Sequence, residues 1–164
     1  MKRTLVIIGL ACSLGAGAQN YTNTFGGVVT DITFYSDNIV RVTKYQSKDA
    51  LAKTDPKFVV TMKPLDVQTT LSEGERSDTI SSEGIKVIYN KKTGVTAFYR
   101  PDGSLLIREK GTPQFNKRTS HTIDPYQVAQ TFTLATKEPI YGFGQVQDGR
   151  LNHRGASYSH MVQS

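Results

Sequence analysis

The stretch GIKVIYNKKTGVTAFYRPDGSLLIREK, Gly84 to Lys110, decides the fold class. Ile85, Val87 and Tyr89 fall at every second position and so share one face of an extended strand. Asn90 to Gly94 supplies a hairpin turn whose glycine can take positive φ. Val95, Ala97 and Tyr99 form the return, and Pro101-Asp102-Gly103-Ser104 turns the chain again. Leu105 to Lys110 make a third strand. Strands joined in series by tight turns form an antiparallel meander.

The same grammar extends outward. GVVTDITFYSDNIVRVTKYQ, Gly27 to Gln46, is two β-branched runs around the turn cluster Ser36-Asp37-Asn38. In its second run Val40 and Val42 alternate with Arg41 and Thr43, so one face is expected buried and one solvated. KFVVTMKPLDVQTTL predicts two further short runs broken at Pro64, since proline cannot donate to a ladder. Ala129 to Ala135 adds an alternating strand, whereas Gly111 to Gln127, with two prolines, predicts a long loop that is mobile or a lid. Helix signals are nearly absent. Many short strands at close spacing predict an all-β protein, an antiparallel β-sandwich.

Residues 1–18, MKRTLVIIGLACSLGAGA, predict a secretory signal peptide. Lys2 and Arg3 give a cationic start, Leu5 to Leu14 an apolar run too short for a bilayer, and Ala16-Gly17-Ala18 a small-residue cleavage site. The alternatives are a buried segment of an intracellular protein, or a lipid anchor on Cys12, for which Gly9-Leu10-Ala11 is a poor lipobox. The expected product is exported, periplasmic or extracellular, with no later transmembrane segment. Residues 19–164 would then be one domain, long enough to bury about two-thirds of its unfolded surface. It has no cysteine after Cys12, so a packed core rather than disulfides must hold it.

The net charge of +6 is spread along the chain without a block of five like charges, which gives a nucleic-acid partner little support. His121, His153 and His160 lack metal-ligand spacing, so no metal and no cofactor are expected. A carboxylate pair that works as acid and base or nucleophile needs its two groups about 5–9.5 Å apart. Asp148 with Asp102, Asp124 or Glu138 is the available set, and no spacing joins any pair, so no catalytic residue is assigned. Ser157, Ser159 and His160 are close in sequence but lack the elbow motif of a nucleophilic serine.

YGFGQVQDGRLNHRG, Tyr141 to Gly155, is the most site-like stretch. Gly142 and Gly144 lack the lysine or third glycine of a phosphate loop, and suit a bend or close backbone approach. Gln145, Asp148, Arg150 and Asn152 carry the directional hydrogen bonding that sugar hydroxyls require, and Tyr141 and Phe143 offer apolar faces. These four polar residues are the candidate substrate-binding rim; the competing reading is a solvated or interdomain loop.

Lys91-Lys92-Thr93-Gly94, Asp102-Gly103, Leu105-Leu106, Tyr141-Gly142-Phe143-Gly144-Gln145 and Leu151-Asn152-His153-Arg154-Gly155, in this order, resemble the N-terminal domain of glycoside hydrolase family 31. The resemblance implies a galactose-mutarotase-like β-sandwich that packs on a (β/α)₈ catalytic barrel of the same enzyme. In that family the barrel carries an aspartate nucleophile and an aspartate acid. Neither is present here, so the resemblance implies a piece of such an enzyme, truncated at its C-terminal end and inactive alone. Its expected role is to scaffold the barrel and shape a sugar pocket for α-glucosides or α-xylosides. The alternatives are a stand-alone carbohydrate-binding module, which the absence of tryptophan disfavours, and a ligand-free periplasmic structural domain.

Overall fold

The computed structural model describes residues 20–46, 60–119, 126–142 and 148–159. The expected signal peptide, Cys12, His121, Asp124, Gln145 and His160 lie outside them. Every regular element described is a strand. No described helix is long and apolar enough to cross a membrane. The chain divides into two compact units, residues 1–133 and 134–164.

The first unit holds three antiparallel sheets. β1 (Asn20–Phe25), β2 (Val28–Ser36) and β3 (Ile39–Tyr45) form one, in that order. β4 (Thr70–Glu73), β5 (Ser77–Ser81), β6 (Lys86–Asn90), β7 (Thr96–Tyr99), β8 (Leu105–Glu109) and β11 (Phe132–Thr133) form the second, with β11 beside β8 and β4 at the far edge. β9 (Gln114–Lys117) and β10 (Tyr126–Ala129) pair separately.

The first two sheets share one core, the antiparallel sandwich expected of the sequence. Tyr21, Ile32 and Phe34 from one sheet meet Ile80, Val87 and Tyr89 from the other, with Val67 from the intervening segment. The alternation in β2 explains this choice: Val28, Thr30, Ile32 and Phe34 are buried, and a bulge at Tyr35 then shifts the register with β3 before Ser36 pairs with Ile39. Val40 and Val42 pack against the core, as their spacing in β3 predicts.

The meander forms as read, with one change of face. Gly94 has φ 65°, and its amide donates to the Asn90 carbonyl at 2.8 Å to close the β6–β7 turn. A β-carbon there would lie 2.9 Å from Phe25 and 2.8 Å from Thr112, so glycine is required by space as well as by φ. In the return strand, however, Thr96 and Phe98 stand opposite Tyr89 and Val87 and carry the core face. The expected run Val95, Ala97, Tyr99 takes the other parity, because the turn length sets the register.

Three further expectations are corrected. Val60 to Met62 form no strand, and both Val60 and Met62 are exposed; Leu65 instead donates its amide to the Tyr35 carbonyl at 3.0 Å. The predicted loop from Gly111 contains β9, which pairs with β10. The predicted strand from Ala129 to Ala135 is divided into the end of β10 and the short β11.

Two buried carboxylates tie the layers together. Glu109 of β8 meets Lys44 of β3 at 2.5 Å, with both side chains more than nine-tenths buried. The same carboxylate oxygen accepts the Thr96 amide at 2.6 Å, and the ammonium also donates to the Gly94 carbonyl at 3.0 Å. Asp78 of β5 accepts from the Tyr21 hydroxyl at 2.7 Å and pairs with Lys91 at 3.0 Å. Burial alone would raise the Asp78 pKa, but the hydrogen bonds from Tyr21, Lys91 and the Gly74 amide outweigh it, and the carboxyl is held below its usual range.

The core assignment has a direct consequence. Val87 is fully buried while its neighbour Lys86 points to the other, partly exposed face. Val87→Asp should cost about 4 kcal/mol or more, by burying an unpaired charge, and Lys86→Asp less than about 1 kcal/mol. Equal losses of melting temperature in the two variants would refute this register.

Candidate functional site

The polar stretch that suggests a site falls in the second unit, residues 134–164. It contains no described strand, so hydrogen bonds from side chains to backbone shape it. Asn152 uses its side-chain oxygen twice, accepting from the Ile140 amide and the Arg154 amide, each at 3.0 Å. The His153 amide donates to the Ile140 carbonyl at 2.8 Å. Arg154 reaches back to the Ala135 carbonyl at 2.9 Å and the Glu138 carbonyl at 2.7 Å. The segment around Ile140 is thereby clamped to the Leu151–Arg154 turn, and the Asn-x-Arg spacing is what allows one turn to hold both ends.

Within this frame three side chains converge. The Tyr158 hydroxyl donates to Asp148 at 2.5 Å and lies 2.6 Å from His153 Nδ1. A phenol has one proton, so with that proton on Asp148 the imidazole supplies the other, from Nδ1. The two rings meet edge to face, with centroids 5.2 Å apart. His153 is buried, whereas Asp148 is 28% exposed in its side chain and accessible from solvent. The Tyr158 hydroxyl, then the Arg150 amide at 3.0 Å, hold the Asp148 carboxyl below the usual carboxylate range. Tyr158 responds oppositely: its hydrogen bond to Asp148 raises its pKa.

Of the four rim residues, Asp148 and Arg150 stand together in one turn, with the Arg150 amide on the Asp148 carboxylate. Arg150 and Asn152 are exposed, and the carbonyl oxygen of Asn152 is committed to the backbone. Gln145 is outside the described residues. Tyr158 and His153 were not among the expected site residues. His153 lay inside the Leu151–Gly155 motif without a role of its own, and a partner ten positions away, such as Tyr158 for Asp148, has no periodic signature.

Two of the other candidate carboxylates are used locally. Asp102 accepts the Ser104 amide at 2.8 Å in the β7–β8 turn, and Glu138 accepts the Ala135 amide at 2.8 Å. Each therefore orders its own turn. Among the described residues no group of three or more His, Cys, Asp or Glu side chains is placed to hold a metal.

These features can be set beside known proteins. Residues 29–163 match the glycosyl hydrolase 31 N-terminal galactose mutarotase-like domain, and the chain belongs to that family. It is 28% identical over 134 residues to an alpha-xylosidase of Saccharolobus solfataricus, covering 81% of this chain and 18% of that protein. It shares its fold with a GH31 alpha-xylosidase from a soil metagenome, solved with xylose, at a TM-score of 0.66 and 20% identity. That match covers 88% of this chain and 24% of the other. The chain thus spans about a fifth to a quarter of these relatives' length.

The Asp148–Tyr158 contact sets a pH window. A lowered carboxylate pKa means that the contact stabilises at neutral pH and is lost as pH falls through the Asp148 titration. A raised phenol pKa means that it is also lost as pH rises through that of Tyr158. Carbon-13 NMR of the Asp148 carboxyl should show a midpoint below the ordinary range, returning toward it in Tyr158→Phe. Identical midpoints in the two proteins would show that the phenol does not govern this carboxylate.

Proposed function

We propose that this chain is the non-catalytic N-terminal sandwich of an exported α-glycosidase. In this reading it braces a (β/α)₈ barrel that carries the catalytic aspartates. The names of both relatives favour α-xylosides over α-glucosides as the substrates of the whole enzyme. Export is supported by the charged, apolar and small-residue succession of residues 1–18.

The observation that carries the docking role is the exposure of β8. Ile107 stands opposite Phe98 and Leu105 opposite Tyr99, with Leu106 in the bulge between them, so the run reaches both faces of the sheet, yet Leu105, Leu106 and Ile107 are 48%, 38% and 41% exposed. A strand with apolar groups uncovered on both faces suits contact with another domain, and such interfaces commonly bury about 600–1,500 Å². The polar turn at Asp148, Arg150 and Asn152 is the part proposed to border the sugar pocket, with Gln145 beside it in sequence. Its hydroxyl-matching side chains and its internal clamping support that role.

The test separates the domain from the catalyst. The isolated chain should not hydrolyse aryl α-xylosides or aryl α-glucosides. A matching barrel produced separately should gain activity when the chain is added, and Ile107→Asp should remove most of that gain without unfolding the chain. Turnover by the chain alone, abolished in Asp148→Asn, would refute the reading, as would a barrel indifferent to the chain.

A further inference from the structure

The residue 1–133 unit contains a cleft of about 350 Å³ that the proposed docking role does not use. Phe98, Phe115 and Phe132 line it, and its polar groups are Lys44, Glu109 and Gln130. Phe132 and its neighbour Val128 are 43% and 59% exposed, so the cleft is reached from solvent on that side. The charged groups lie deep: the Lys44 and Glu109 side chains are 7% and 6% exposed.

Their hydrogen bonding is incomplete in an informative way. Glu109 receives both Lys44 and the Thr96 amide on Oε2. Its Oε1 accepts from no described residue. That oxygen is not fully enclosed, so a donor can still reach it. Lys44 spends two of its three N–H donors, on Glu109 and on the Gly94 carbonyl. Gln130, which also lines the cleft, donates its amide hydrogens to the Gly111 and Thr131 carbonyls, which leaves its Oε1 as an acceptor.

The cleft therefore offers two acceptors, one ammonium hydrogen and three aromatic rings. A cationic ligand would meet Lys44 and an anionic one Glu109, while a pure hydrocarbon would leave Glu109 Oε1 unpaired. Hydroxyl groups donate and accept at once and satisfy both kinds of partner. The remaining surface asks for C–H groups against phenyl faces. A pyranose combines adjacent hydroxyls with an apolar ring face. The volume lies at the low end for small-ligand sites, which suits one ring rather than an oligosaccharide. We propose that this cleft binds a single neutral pyranose, independently of the rim at Asp148 and of any catalytic barrel.

The chain, labelled with nitrogen-15, should be titrated with D-xylose and with D-glucose and followed by amide and side-chain NMR. Saturable shifts at Phe98, Phe115, Gln130 and Phe132 are expected, with a dissociation constant on the order of millimolar. Phe132→Ala and Gln130→Leu remove groups at the cleft without unpairing Lys44 and Glu109, and each should weaken binding about tenfold with the folded spectrum preserved. The proposal is overturned if neither sugar shifts the cleft residues, or if both variants bind as the parent does. Shifts confined to residues 148–154 would also overturn it and would favour the rim instead. Concentration-dependent broadening at the cleft, relieved by Phe132→Ala and indifferent to sugar, would assign the cleft to a second copy of the chain.

Discussion

Lys44 and Glu109 reach each other across 65 positions of sequence, from the edge strand of one sheet to a strand of the facing one. Desolvating two such charges costs several kcal/mol for each, and the pairing repays this only in good geometry with further hydrogen bonds. Those bonds come from the Thr96 amide and go to the Gly94 carbonyl, at the β6–β7 hairpin. The ion pair thus forms only if the hairpin closes with its correct turn, β8 pairs with β7 in register, and the three-stranded sheet lies over both. Sliding any strand by one residue would bury one of the charges alone. Apolar contacts in the core tolerate small displacements far better, so the pair specifies the alignment while Ile32, Phe34, Val87 and Tyr89 supply cohesion.

The same geometry separates what could be read from the chain from what could not. Turn chemistry at Asn90–Gly94 and Pro101–Ser104 is local, so the meander was legible residue by residue. The parity of β7 was not, because Val95, Ala97 and Tyr99 look as apolar as Thr96 and Phe98 look mixed; cross-strand register decides between them. β5 was missed for a related reason. Its SDTIS sequence is mostly polar, and its buried Asp78 is acceptable only because Tyr21 and Lys91 arrive from elsewhere. β9 lacks alternation because it has no core face, with Phe115 its one partly covered position.

The site was legible in composition more than in arrangement. Asp148 and Arg150 do occupy one turn, but the groups that orient the carboxylate are Tyr158 and its neighbour His153. Asn152, selected for sugar-like hydrogen bonding, spends its oxygen on backbone amides. Side chains of this type serve turns and ligands with the same atoms, and only their positions show which use is made. Glu109 is the reverse case: it looks like a polar strand end in the sequence, and the fold encloses it.

The long separation between Lys44 and Glu109 also bears on how the molecule comes into being. Polypeptides emerge from their N-terminal end at about 5–20 residues per second, so Glu109 follows Lys44 by about 3–13 seconds. β1, β2 and β3 are neighbours in sequence and can pair early in that interval, but the inner face bearing Ile32 and Phe34 has nothing to cover it until Val67, Ile80, Val87 and Tyr89 have followed. Until then the nascent chain presents an adhesive surface, and the Lys44 ammonium stays unmatched longer, until Glu109 emerges. The order of the strands along the chain thereby sets a waiting period, which the finished sandwich no longer displays.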